Sequence, residues 1–290
     1  MNNSANLFNE SRQGIAVAPH AQAAEAGAAA LAEGGNAIEA CVAMAATLAA
    51  VYPHMTGLGG DSFWLFHHPG KQVQSVFGCG RTGSNVTREA YTREGQQQIP
   101  YRGGNAAITV AGTVSGWQQA LAVSNQEWGG KLPLSRLVSD AIDYCREGYT
   151  VTASQTIATR GKFDQLVSQP GFADVFLVDG KPPQAGDQLT QSALAATLEQ
   201  LTRVGLDDFY RGELAEVIAQ DLIKAGSPLT HDDLVSHHAQ LMQPISLRTA
   251  NAEVFTTTAP TQGAATLMIL GQFMRCLLYT SDAADDRYKV

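Results

Sequence analysis

At 290 residues, 44% hydrophobic and 16% charged, the chain can bury a sizeable core in one large or two modest domains. A formal charge of −8, from 27 acidic and 19 basic residues without any Lys/Arg run, argues against a nucleic-acid partner and against an anionic membrane surface. Cys41, Cys79, Cys145 and Cys276 are dispersed with no C-x-x-C pair, so they read as reduced, mostly buried small hydrophobes and not as a zinc or redox motif.

The opening MNNSANLFNESRQG has neither a basic n-region nor an apolar h-region. No signal peptide is read, and cytoplasmic residence is expected, or periplasmic residence if the true start lies upstream. The sequons at Asn2 and Asn85 mean little without secretion. GIAVAP (14–19) reads as a short buried strand stopped by its proline. An Ala-rich helix follows, ended by Gly34-Gly35. Asn36 then caps a second helix, with Glu39 three residues on closing a capping box. That helix is apolar nearly all round and must be covered on more than one side. At residues 37–52 it is shorter than the ~20 residues of a membrane span and carries Glu39, so no membrane partner is expected.

YPHMTGLGGDSFWLFHHPG (52–70) raises the question of a phosphate cradle. Such loops run from a strand through glycines into a helix. Here the order is helix, glycines, strand, with no following lysine, so the glycines are expected to serve a tight turn and a close backbone approach. SFWLFHH and KQVQSVFGC then read as a hairpin, and NAAITVAGTVSGWQQALAV as a strand, a glycine turn and the start of a helix. Helical pieces are expected near 116–127, 134–147, 152–167, 190–203, 212–225 and 231–240. ISLRTANAEVFTTTAP returns to strand character before a helix from 263. The layout is an α/β unit with a large helical lobe.

The histidines do not assemble a metal site. His67-His68 read as strand residues facing opposite ways, His237-His238 as a helix end, and His231 as the residue after Thr230 in a T-x-x-D capping box closed by Asp233.

The stretch AVAPHAQAAEAGAAALAEGGNAIEACVAMAATLAAVYPHMTGLGGDSFWLFHH resembles the opening of the large subunit of the γ-glutamyltransferase family (γ-glutamyltranspeptidase, glutathione hydrolase). There, two helices joined by a Gly-Gly-Asn turn lead to a Pro-His and a Gly-x-Gly-Gly loop. ITVAGTVSGWQQA, the helical stretch from QLTQSALAATLEQL to QLMQPIS, and TTTAPTQGAATLMIL match in the expected order. The resemblance covers roughly residues 13 to 275. It divides the chain into an N-terminal extension (1–12), a truncated large-subunit-like region (13–276) and a tail (277–290). The tail loses helical periodicity and departs from the family; it reads as translated adaptor sequence, with a genuine solvated tail as the alternative.

The resemblance implies a mixed α/β (α+β) fold: an incomplete N-terminal-nucleophile hydrolase αββα sandwich, made as a self-cleaving proenzyme. Its small-subunit threonine would attack a γ-glutamyl amide such as that of glutathione, passing the acyl group to water or an amino acid. No cofactor is expected. The family's Thr-Thr-His does not occur in these 290 residues. Thr256–Thr258 precede Ala259-Pro260 and read as strand residues, so no catalytic residue is assigned and the chain alone is expected to be inactive. Its expected partners are the missing small-subunit portion and a small-molecule substrate. Arg81 is the one substrate-binding residue carried over: the family's arginine after the second strand pairs with the α-carboxylate of the γ-glutamyl group. In FGCGRTGSN, Cys79 stands near the family's acidic position and Thr82 replaces its glutamate, which puts the substrate in doubt. Two rival readings stand beside the first. One is a cytoplasmic amidohydrolase of the same fold acting on a small acid amide such as oxamate. The other is a non-catalytic binding or scaffold protein on half of the fold.

Overall fold

The computed structural model describes residues 14–93 and 95–286. The expected N-terminal extension (1–12), with its sequon at Asn2, and the end of the expected tail (287–290) lie outside them. Helix α1 (Ala21–Ala32) stops before Gly34, whose φ is +89°. Asn36 then starts α2 (Ala37–Val51), its Oδ1 accepting the N–H groups of Ile38 at 3.0 Å and Glu39 at 3.1 Å. Glu39 Oε2 accepts Asn36 N–H at 2.8 Å, which closes the expected capping box. Its other oxygen reaches further, accepting Lys131 N–H at 2.6 Å and Leu132 N–H at 2.8 Å. Alanines let α1 pack closely on α2, and lobe helices cover the other sides of α2, so this helix is the centre of the main core.

The strand expected at 14–19 does not form. Residues 14–18 are not assigned to a strand, and Ile15 and Val17 are exposed. β-propensity describes fit to a paired, half-buried surface, and here the two β-branched side chains point to solvent. The expected hairpin does form: β1 (Ser62–Phe66) pairs antiparallel with β2 (Gln74–Gly78), Ser62 opposite Gly78. After the short α3 (Arg88–Arg93), α4 (Thr113–Glu127) crosses one face of this sheet, where Ala120 and Val123 pack with Phe66 and Val76.

The helical lobe comprises α5 (Leu134–Leu137), α6 (Ser139–Glu147), the strand β3 (Tyr149–Thr150), α7 (Ala153–Leu166), α8 (Phe172–Phe176), the strand β4 (Gln188–Leu189), α9 (Ser192–Val204), α10 (Asp208–Arg211), α11 (Glu213–Lys224) and α12 (His231–Val235). The single helix expected over 134–147 is broken at Val138, with φ −107° and ψ 3°. There the Ser139 hydroxyl donates to Arg136 O at 2.9 Å while the Arg136 guanidinium binds Ser139, Asp140 and Glu33. Local side-chain bonding competes with the helical ladder. The helix expected over 231–240 stops at Val235, and 240–242 instead becomes β5 (Gln240–Met242), which pairs with β2 and gives the sheet order β1-β2-β5. The sheet face away from α4 leaves Phe63 and Leu65 exposed.

The chain returns to strand in the hairpin β6 (Ile245–Arg248) and β7 (Glu253–Thr256), against which α13 (Gly263–Asp286) packs. The loss of helical character expected after Cys276 is not found, since α13 runs on to Asp286; a helix already nucleated propagates through indifferent sequence. Among the described residues no helix is long and apolar enough to cross a membrane.

Candidate functional site

The glycine loop is held by its carbonyls. Gly60 O accepts the N–H groups of Gly112 at 2.8 Å and Thr113 at 2.9 Å, the entry of α4. An acceptor cradle of this kind is opposite in polarity to a phosphate site. Beside it, the end of β2 and the segment before α4 run backbone against backbone. A Cβ on Gly112 would collide with Gly78 O, and one on Gly80 with Val110 O, so only glycine permits this approach. The strand expected before α4 is reduced to a Thr82–Thr109 bridge with two flanking bonds, Val110 N–H to Arg81 O at 3.0 Å and Gly83 N–H to Ile108 O at 2.9 Å.

This seam fixes the backbone of Arg81. Asp61, directly after the glycine run, accepts Gly80 N–H on Oδ1 at 2.9 Å, and its Oδ2 lies 3.9 Å from Cys79 Sγ. Burial and then the Asp61 charge push the Cys79 thiol up, so it stays protonated and un-nucleophilic at neutral pH. The Arg81 side chain is exposed, and among the described residues it has no hydrogen-bond or ion-pair partner. It is a planar cationic fork on a rigid base, suited to a carboxylate.

Beneath the seam, Tyr210 caps α4 from a distance. Its hydroxyl donates to Ala111 O at 2.8 Å and accepts Ser115 N–H at 2.9 Å, replacing the side-chain cap that Gly112 cannot provide. Burial holds this phenol protonated. The His237 ring lies 5.3 Å from the Tyr210 ring and is only 2% exposed, with neither nitrogen hydrogen-bonded among the described residues. Burial lowers its pKa to about 4; the charges of His238, Arg81 and Arg211 add to this, and Asp61 opposes it. The expected helix end at His237-His238 is therefore corrected. α12 stops earlier, and Arg211 donates to His237 O at 2.7 Å.

The sign of the resulting pH dependence is fixed. Above pH 6.5 the ring is neutral in both states. As pH falls from 6.5 towards 4, the unfolded chain takes up a proton that the folded chain refuses, so stability is lost across that window. By pH 5 the loss is expected to be roughly 2 kcal/mol. Urea midpoints measured from pH 7 to 5 should fall, and His237→Phe should flatten the curve; an unchanged slope in the variant would assign the pH dependence elsewhere.

The other singled-out residues do not join this group. His67 and His68 lie in the hairpin connection just past β1, not on the strand, and His68 rests edge-on against Trp128. His231 is the first residue of α12 behind its Thr230–Asp233 box, as expected. Thr257 and Thr258 lie past β7, with hydroxyls bonded inside the turn that leads to α13. Among the described residues no group of three or more His, Cys, Asp and Glu is placed to hold a metal. Asp61, Tyr210 and His237 were not singled out as site residues from the sequence. Only Asp61, adjoining the glycine run, carried a local signal.

Comparison with known proteins places this geometry in context. A family profile described as gamma-glutamyltranspeptidase matches residues 23–288. The chain is 46% identical, over 97% of its length and 53% of the relative's, to an oxamate amidohydrolase proenzyme of Klebsiella pneumoniae. It is 41% identical, over 88% of its length and 48% of the relative's, to a glutathione hydrolase-like proenzyme of Bacillus subtilis. It thus spans about half the length of the curated relatives it matches. Among solved structures, the γ-glutamyltranspeptidase of Helicobacter pylori superposes with a TM-score of 0.81 at 27% identity, covering 88% of this chain and 73% of that one. That of Pseudomonas nitroreducens gives 0.78 at 30% identity, with the same coverages.

Proposed function

The chain belongs to the γ-glutamyltranspeptidase family, and from that premise we propose that it is the large-subunit part of a precursor that hydrolyses a small acid amide, with Arg81 holding the substrate's carboxylate. The observation that carries the reading is the unpaired Arg81 fork on its glycine seam. The complete protein would supply a threonine whose hydroxyl attacks the amide carbonyl, its own α-amine acting as base. Ammonia leaves, an ester links the acyl group to the threonine, and water releases the acid. With oxamate the balance is oxamate plus water giving oxalate plus ammonia. Arg81 would take no proton and form no bond; its part is to fix the substrate so that the carbonyl meets the nucleophile.

Similarity to the Klebsiella relative named for oxamate, together with Cys79 and Thr82 flanking the arginine, favours this substrate class. A γ-glutamyl amide is the second reading, favoured by the glutathione hydrolase-like Bacillus relative. The test compares ammonia release from oxamate with p-nitroaniline release from a γ-glutamyl p-nitroanilide, using the complete, self-cleaved protein. Oxamate is expected to be turned over faster. Turnover of the anilide alone would replace the first reading with the second, and turnover of neither by fully cleaved protein would overturn both substrate assignments. The 290-residue chain by itself is expected to act on neither substrate.

A further inference from the structure

A recess lies between the end of α2 and the helices α7 and α8, with a volume of about 550 Å³. That is within the usual range for small-molecule sites. Its apolar wall is built from the rings of Phe172 and Phe176, stacked at 5.4 Å, together with Leu166. Its polar edge is formed by His54, Thr159 and Lys162.

Three features of that edge point to a ligand. Thr159 is 4% exposed, yet its hydroxyl has no partner among the described residues. His54 is anchored through Nε2, 3.1 Å from the Ser154 hydroxyl, while Nδ1 has no partner there. Lys162 has neither an ion pair nor a hydrogen bond among the described residues, and no acidic residue lines the recess. Buried polar groups in proteins are nearly always satisfied, and an apolar recess with a few convergent polar groups is the usual form of a small-molecule site. Burial lowers the pKa of His54, so at neutral pH its ring is uncharged and Lys162 is the cation that lines the recess.

We infer that this recess binds a small carboxylate with an aromatic body, the rings packing on Phe172 and Phe176 and the carboxylate meeting Lys162. The inference does not rest on Arg81 or on the proposed hydrolysis, since the two sites share no lining residue.

The test titrates the complete protein with 1-naphthoate, followed by naphthyl fluorescence, and with the uncharged 1-naphthalenemethanol. Both probes should bind saturably. Lys162→Gln, an exposed substitution that leaves the core untouched, should weaken 1-naphthoate about three- to tenfold and leave the alcohol unchanged. Ala158→Trp, which fills the recess, should abolish both while the melting transition is retained. Absence of saturable 1-naphthoate binding would overturn the inference, as would unchanged 1-naphthoate affinity in Lys162→Gln. If Ala158→Trp fails to fold, the Lys162→Gln comparison alone decides.

Discussion

Replacing Glu39 with alanine should destabilise the complete protein by about 3 kcal/mol, because three part-buried N–H groups lose their acceptor together. The carboxylate is 1% exposed and accepts Asn36, Lys131 and Leu132 N–H. A capping box normally contributes about 1 kcal/mol. Here the same side chain also ties the turn between α1 and α2 to the segment after α4, so its removal loosens two elements at once. Glu39→Gln keeps the volume but presents an amide NH₂ to at least one of these donors, and should cost roughly half as much. Asn36 strengthens the junction by donating from Nδ2 to Ser124 Oγ at 2.7 Å. Asn36→Ala and Glu39→Ala should therefore combine non-additively, since the two residues share one network. Urea denaturation of the four proteins of this cycle measures the coupling. A loss below 1 kcal/mol for Glu39→Ala would mean that water replaces the carboxylate and that the clamp is only a helix cap.

That clamp marks the limit of what the sequence discloses. Asn36 and Glu39 lie three residues apart, so their capping box is legible from spacing alone; Lys131 and Leu132 lie more than ninety residues away, and no local pattern announces them. The β1–β2 hairpin is legible because aromatic and β-branched residues flank a Pro-Gly turn. The 14–18 segment and the remnant strand before α4 also carry β-branched residues, but a strand exists only with a ladder, and laddering is not a property of composition. Arg81 came from resemblance, and the chain's own packing explains why glycines surround it. A lone tyrosine such as Tyr210 carries no spacing signal, and the His237-His238 pair reads only as a helix end. Tyr210 and His237 reach the seam only because α10 and the segment after α12 fold beneath α4.

Arg81→Lys is expected to lower kcat/KM of the complete protein for oxamate by about one to two decades. A charged hydrogen bond contributes roughly 1.5–3 kcal/mol, and an ammonium cannot make two parallel N–H bonds to one carboxylate. The loss should vanish with oxamide, in which an uncharged amide replaces the carboxylate and the fork has no anion to grip. Folding should be unaffected, because the seam is held through the Arg81 carbonyl and the Gly80 N–H, not through the guanidinium. Self-cleavage should proceed normally for the same reason. The buried histidine provides a second, independent readout. Lysine keeps the positive charge that helps to hold His237 low, whereas Arg81→Ala removes it. In the alanine variant the folded-state pKa of His237 should rise slightly, burial remaining the main cause of its low value, and the window in which only the unfolded chain binds a proton should narrow a little. The acid loss of stability should then be slightly smaller in Arg81→Ala than in Arg81→Lys, although both variants lose activity on oxamate. Equal activity losses on oxamate and oxamide, or failed self-cleavage, would show instead that Arg81 holds the fold together.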